Sequence, residues 1–241
     1  MAMDTDLERL RNYATVLVDA LATGPLDAPV AACPGWTLSD LGRHMGFIHR
    51  WACRAATSGE PPAAELIEGP PADDLLAAWV GTGADDLMTA LAGLLPDQPT
   101  WHPFPVAKVA RVWPRRQAHE TMIHAWDAVD ATGGALSLAV DAAADNVAEY
   151  FEVVVPRILM RGGRSAPVGT LAVRFADADT TLVIRSLDGT SVAVDPAGAG
   201  AADGEISGRA EDICLALWGR RALLAPADGA FAAEWLAFGG N

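Results

Sequence analysis

The apolar rhythm of the chain changes once, near Arg161-Gly162-Gly163, and no other feature limits the fold as much. Before that point apolar residues return every three or four positions. The stripes are Leu7, Leu10, Tyr13, Leu17 and Leu21; Leu41, Met45 and Ile48; Leu76, Trp79, Val80, Leu87 and Leu91; and Val147, Phe151, Val154 and Ile158. This is the period of helices that each bury one face. From Thr170 the pattern becomes strand-like. Leu171–Phe175, Thr181–Arg185 and Ser191–Val194 are separated by the turn residues Asp177-Ala178-Asp179 and Asp188-Gly189, which is how a β-meander reads. The sequence therefore predicts a two-domain α+β chain, with an up-down helical bundle over residues 1–163 and a small α+β domain over 164–241.

Punctuation supports these elements. Gly24-Pro25 ends a first helix spanning about Asp4–Ala22. Thr37-Leu38-Ser39-Asp40 has the form of a capping box that opens a second helix running to about Thr57, with Asp40 reaching back to Thr37. Asp73 and Asp74 open a third helix toward Leu95, in which Gly81 and Gly83 are expected to cause fraying or a bend. Pro96 to Val112 reads as an ordered aromatic loop. Pro114 suits the first turn of a fourth helix, and Gly133-Gly134 stops it. Beyond the meander, a Gly/Ala-rich loop over Ala197–Gly204 precedes a short strand at Glu205–Ser207, a helix through Ile213–Trp218 and a last amphipathic piece at Ala230–Phe238.

The fourth helix carries the chemistry. In Trp113–Asp127, Glu120 and His124 lie four residues apart, offset by roughly 40° and about 6 Å along the axis, so they can grip one metal ion together. On the second helix, His44 shares a stripe with Leu41, Met45 and Ile48, and a histidine on an apolar stripe needs a polar partner. Two histidines and a carboxylate from neighbouring helices would form a zinc-like site with an open coordination position. Asp127, three residues after His124, can accept a ring N–H from it. His119 points about 100° away from Glu120 and is expected to be structural or to support the metal ligands from behind, His49 faces elsewhere, and His102 lies in the aromatic loop. Cys33, Cys53 and Cys214 show no CxxC spacing and read as small buried hydrophobes. No base is evident beside Cys33 in the sequence.

Composition narrows the partners. A net charge of −14 and the lack of a basic stripe argue against nucleic acid. Lysine is nearly absent, so the arginines are the candidates for binding a small anion. The charged N-terminus lacks the apolar core of a signal peptide, and no apolar run reaches membrane-spanning length, so a cytoplasmic protein without membrane partners is expected.

Three segments carry a family resemblance: Cys33-Pro-Gly-Trp-Thr-Leu-Ser-Asp-Leu-Gly-Arg-His44, Arg116-Gln-Ala-His-Glu120-Thr-Met-Ile-His124-Ala-Trp-Asp127, and Gly208 through Arg220. Together they resemble the mycothiol-dependent maleylpyruvate isomerase family, a branch of the DinB-like metal-binding bundles. The resemblance implies a DinB-like bundle binding one zinc ion through His44, Glu120 and His124, followed by a sterol-carrier-like α+β domain. It also implies mycothiol as thiol cofactor or co-substrate, and a C-terminal arginine that holds an anionic, electrophilic small-molecule substrate. That arginine falls on Arg220, with the adjacent Arg221 as the alternative. The implied activity is addition of a metal-activated thiolate to the electrophile, as a cis–trans isomerase or a thiol S-transferase. The competing reading is a non-catalytic metal- and small-ligand-binding protein.

Overall fold

A computed structural model describes residues 2–195, 201–223 and 229–238. The chain forms two compact units, one of Met1–Pro103 and Ala107–Leu136, the other of Phe104–Val106 and Ser137–Asn241.

The first unit is a bundle of α1 (Ala2–Thr23), α2 (Leu38–Ser58), α3 (Leu76–Ala92) and α4 (Val112–Ala131). Helix α1 packs on α4 and α3, and α2 packs on α3 and α4. The stripes read from the sequence form the core, with Leu10, Leu17, Leu38, Leu41, Met45, Leu76, Leu87, Leu91 and Trp113 fully buried. Helix α2 begins on the expected capping box. The Asp40 N–H donates to Thr37 Oγ1 at 3.2 Å, and the Thr37 N–H donates to Asp40 Oδ2 at 2.9 Å. Two otherwise orphaned donors are thus satisfied at the helix start. Pro114 lies in the first turn of α4, and Gly133 follows its end at φ 75°.

Helix α3 differs from expectation in being unbroken at its glycines. Asp73–Leu75 forms a 3₁₀ turn ahead of it, and it ends at Ala92. Gly83 has a packing role, because a Cβ there would lie 2.3 Å from Arg50 Nη1. That guanidinium lies over the Trp79 ring at 4.1 Å and donates to the Trp79 carbonyl at 2.9 Å. On the facing helix, a Cβ on Gly46 would sit 2.0 Å from Trp79 Cζ3, so α2 and α3 meet through a glycine against an indole. Trp79 is buried and held by Arg50, so it cannot step aside cheaply. Gly46→Ala is therefore expected to destabilise the protein by about 1–3 kcal/mol through overpacking. Urea denaturation checks this, and an unchanged midpoint would show that the helices separate freely.

The Pro96–Val112 loop is ordered, as expected. Its ends pair through the Thr100 N–H to the Lys108 carbonyl at 3.1 Å and the Ala110 N–H to the Gln98 carbonyl at 2.9 Å, and Thr100 Oγ1 donates to the Ala56 carbonyl at 2.9 Å. Buried His102 donates from Nε2 to the Ala107 carbonyl at 2.9 Å, so it shapes the loop.

In the second unit, α5 (Val140–Glu149) runs through a π turn (Tyr150–Val154) into α6 (Val155–Arg161). Four strands follow: β1 (Gly169–Phe175), β2 (Thr181–Ser186), β3 (Ala193–Asp195) and β4 (Gly204–Gly208), in the sheet order β3-β2-β1-β4. The first three form the antiparallel meander, and β4 runs parallel to β1 with Val173 opposite Ile206. Helices α7 (Ala210–Leu217) and α8 (Ala230–Phe238) complete the unit. Half of the Gly/Ala-rich loop, residues 197–200, lies outside the described residues. The chain is thus α+β, a helical part followed by a small sheet domain.

The compact units divide at Leu136–Ser137, so that α5 and α6 group with the sheet. The cause is the partner of α5. Asn146 Oδ1 accepts from Trp218 Nε1 at 2.7 Å and from Cys214 Sγ at 3.4 Å, while Tyr150 stacks edge-on to Trp218 and Phe151 to Trp235. The periodicity of this helix shows that it buries a face, but not against what. No helix among the described residues is long and apolar enough to cross a membrane.

Candidate metal centre

The fold brings His44 of α2 together with Glu120 and His124 of α4. Glu120 Oε1 lies 3.8 Å from His44 Nε2 and 3.6 Å from His124 Nε2, and one donor atom from each residue lies within 4.8 Å of the other two. The two imidazoles meet edge-on, with centroids 5.3 Å apart. Nitrogen and oxygen donors at ~2.1 Å from a tetrahedral ion lie ~3.4 Å apart, so Glu120 needs to close on each histidine by only a few tenths of an ångström to share one. They stand at the edge of the bundle core, with His44 29% exposed, Glu120 26% and His124 12%. An ion there would be reachable from solvent.

Each donor is held by a neighbour. Arg116, one turn before Glu120 and itself buried, donates from Nη2 to Glu120 Oε2 at 2.7 Å. One carboxylate oxygen is thereby occupied and the other turned to the histidines. Asp127, fully buried, accepts from His124 Nδ1 at 3.0 Å, which fixes the ring with Nε2 toward Glu120. His44 is flanked by Trp36, whose ring centroid lies 5.0 Å away. Trp36 is set by a tight loop in which the Cys33 N–H donates to the Val30 carbonyl and the Trp36 N–H to the Cys33 carbonyl.

Electrostatics follow from this arrangement. Burial opposes a charge on Glu120, but the His124 and His44 rings and Arg116 outweigh it and hold the carboxyl well below its usual range. Burial likewise opposes a charge on His124, yet Asp127 at one nitrogen and Glu120 at the other outweigh it and raise the ring to about 9. Without a cation, the imidazolium between two carboxylates takes that role, and a metal ion entering at Nε2 must displace a proton.

His49 is fully buried beside the site, with Nε2 2.9 Å from Thr121 Oγ1, and burial pushes its pKa down to about 4. The unfolded chain takes up this proton near pH 6.5 and the folded chain only near 4, so stability must fall as pH drops through that window. Thermal unfolding between pH 7 and 4 is expected to show this loss, with a shallower slope in His49→Gln. An identical slope in the variant would assign the loss to other groups. His119 is also buried, as its position on the helix predicts.

The cysteines divide. Cys214 is fully buried and Cys53 half-buried, and burial raises both thiols. Cys33 departs from the expected inert hydrophobe. It is only partly buried, and its sulfur, a His124 ring nitrogen and an Asp127 carboxylate oxygen all lie within 4.8 Å of one another. The ionisable neighbours that the sequence does not reveal beside Cys33 arrive from α4, some ninety residues later.

Arg220 and Arg221 lie in the second unit. Arg220, half-buried after α7, donates from Nη1 to the Trp218 carbonyl at 2.7 Å, whereas exposed Arg221 pairs with Asp212 at 2.9 Å. Two residues of the centre escape the sequence reasoning. Arg116 was legible from its i,i+4 spacing to Glu120, but Trp36 against His44 carries no local signal.

A helical bundle that turns two histidines and a singly presented carboxylate toward one point is of the DinB-like class, with a donor set that could hold a metal ion. More particularly, the chain belongs to the family described as mycothiol maleylpyruvate isomerase N-terminal domain, whose model matches residues 7–129 and so spans all three donors. No curated protein and no solved structure matches the chain.

Proposed function

We propose that this protein is a mycothiol-dependent zinc enzyme that adds an activated thiolate to an electrophilic small molecule, as a cis–trans isomerase or a thiol S-transferase. The observation that carries the reading is the singly presented Glu120. With Oε2 held by Arg116, it offers one oxygen beside two imidazoles, a three-donor set that leaves coordination open. His44, Glu120 and His124 would hold the zinc ion, whose chemistry when bound is to stabilise a thiolate at neutral pH. The thiol is assigned as mycothiol from the name of the family.

The chain's own contribution is orientation and charge. Arg116 keeps Glu120 from chelating through both oxygens, Asp127 keeps the Nε2 lone pair of His124 aimed at the donor set, and Trp36 covers one side of His44. An electrophilic substrate that takes up the thiol can rotate about its former double bond and expel it, giving an isomer, or keep it, giving a conjugate. Incubation of the zinc-loaded protein with mycothiol and a panel of electrophiles including maleylpyruvate, followed by mass spectrometry, tests the reading. Isomers or thiol adducts formed only with both zinc and mycothiol support it, and turnover independent of either would overturn it.

In this reading Arg220 binds the anionic group of the substrate, which its partial burial supports over exposed, Asp212-paired Arg221. Arg220→Lys keeps the charge but loses the planar fork, so kcat/KM is expected to fall by on the order of tenfold or more with metal content unchanged. Arg221→Lys should leave the rate near wild type. An unaffected Arg220→Lys would restrict Arg220 to supporting the α7 C-terminus through the Trp218 carbonyl.

A further inference from the structure

Two sets of donors meet at His124, and the reading above uses only one of them. The second set is Cys33 Sγ, a His124 ring nitrogen and an Asp127 oxygen, all within 4.8 Å of one another. We propose that Cys33, His124 and Asp127 form a second site, for a thiophilic divalent cation, which shares the His124 ring with the first. The inference rests on His124 being a ligand of the first ion.

The geometry separates the two sites. Asp127 Oδ2 meets His124 at Nδ1, 3.0 Å away, whereas Glu120 Oε1 approaches Nε2. An ion held by Asp127 therefore takes Nδ1, on the opposite edge of the ring from the first site. Zinc–sulfur bonds of ~2.3 Å and zinc–nitrogen bonds of ~2.0 Å put tetrahedral sulfur and nitrogen donors ~3.5 Å apart, so Cys33 Sγ has to close by at most about 1.3 Å while the 3.0 Å Asp127–His124 pair opens slightly. A χ1 adjustment of a partly exposed cysteine can supply that.

Charge and stiffness favour a soft cation. A thiolate and a carboxylate together neutralise a divalent ion, and the sulfur selects thiophilic metals over magnesium or calcium. Cys33 is also held in place. Its backbone is tied at both ends, by the Cys33 N–H to the Val30 carbonyl at 3.0 Å and the Trp36 N–H to the Cys33 carbonyl at 2.9 Å. The Val30 N–H also donates to the Trp36 carbonyl at 2.9 Å, and the capping box follows one residue later. The sulfur is thus presented from a fixed turn. Occupation replaces the Nδ1 proton that Asp127 now accepts, so the ion takes over the orienting role of that hydrogen bond and couples the two sites through one imidazole.

Titration of the metal-free protein with cobalt(II) tests this. The first equivalent is expected to give visible ligand-field absorption without a thiolate band, and the second a near-ultraviolet thiolate-to-cobalt charge-transfer band. Cys33→Ser should lose the band and the second equivalent but keep the first, while His44→Ala should keep the band. Independently, excess zinc should protect Cys33 from alkylation, as read by peptide mass spectrometry of the wild type. A single equivalent with no thiolate band at excess cobalt, a band that survives in Cys33→Ser, or full alkylation of Cys33 under excess zinc would each overturn the inference. A thiolate band without the first equivalent would instead overturn the zinc centre of the proposed function.

Discussion

His124→Ala is expected to abolish stoichiometric metal binding, as measured by elemental analysis of the protein after zinc loading and desalting. His124 stands at the centre of the site, 3.6 Å from Glu120 through Nε2 and 3.0 Å from Asp127 through Nδ1. Its removal takes away a donor and leaves two carboxylates without the cation between them. Because two donors lie on α4 and the third on α2, a bound ion joins two helices, and its binding free energy adds to stability. The rise in Tm that zinc gives the wild type should vanish together with the metal. Full zinc retention by this variant would remove the site.

Arg116→Met is expected to cost about 2 kcal/mol in the metal-free protein, because it removes a charge-assisted hydrogen bond and one of the two cations that face Glu120, leaving only the His124 imidazolium. Arg116 is 4% exposed and holds Glu120 Oε2 at 2.7 Å. The loss should be smaller when zinc is bound, since the ion supplies countercharge to the same carboxylate. Chemical denaturation with and without zinc measures the difference. An equal loss in both states would mean that Arg116 acts through its other contacts and not through Glu120.

How far the sequence could be read depended on whether the information was local. Helix α2 begins where Thr37 and Asp40 say it does, because both halves of a capping box lie within four residues. The meander was legible because strand alternation and turn residues are contiguous. Glu120 and His124 share a face by helical geometry alone, and His44 stood out as a polar residue on an apolar stripe. The partner of α5 was not legible, since Val147 and Phe151 predict a buried face without naming α7 or Trp235 as what covers it. The packing role of Gly83 was not legible, because the sequence does not show that Arg50 occupies the space beside it. Cys33 was misread for the same reason, because its neighbours His124 and Asp127 come from a distant helix.

In the proposed function, His44, Glu120 and His124 hold an ion whose open position accepts a thiol. Zinc K-edge X-ray absorption of the protein loaded with one equivalent of zinc, before and after addition of mycothiol, tests it most directly. The expected spectrum shows a nitrogen and oxygen shell alone before addition, and one new sulfur scatterer at ~2.3 Å after it. A spectrum that mycothiol leaves unchanged would contradict it, as would a sulfur ligand already present with one equivalent of zinc and no thiol added.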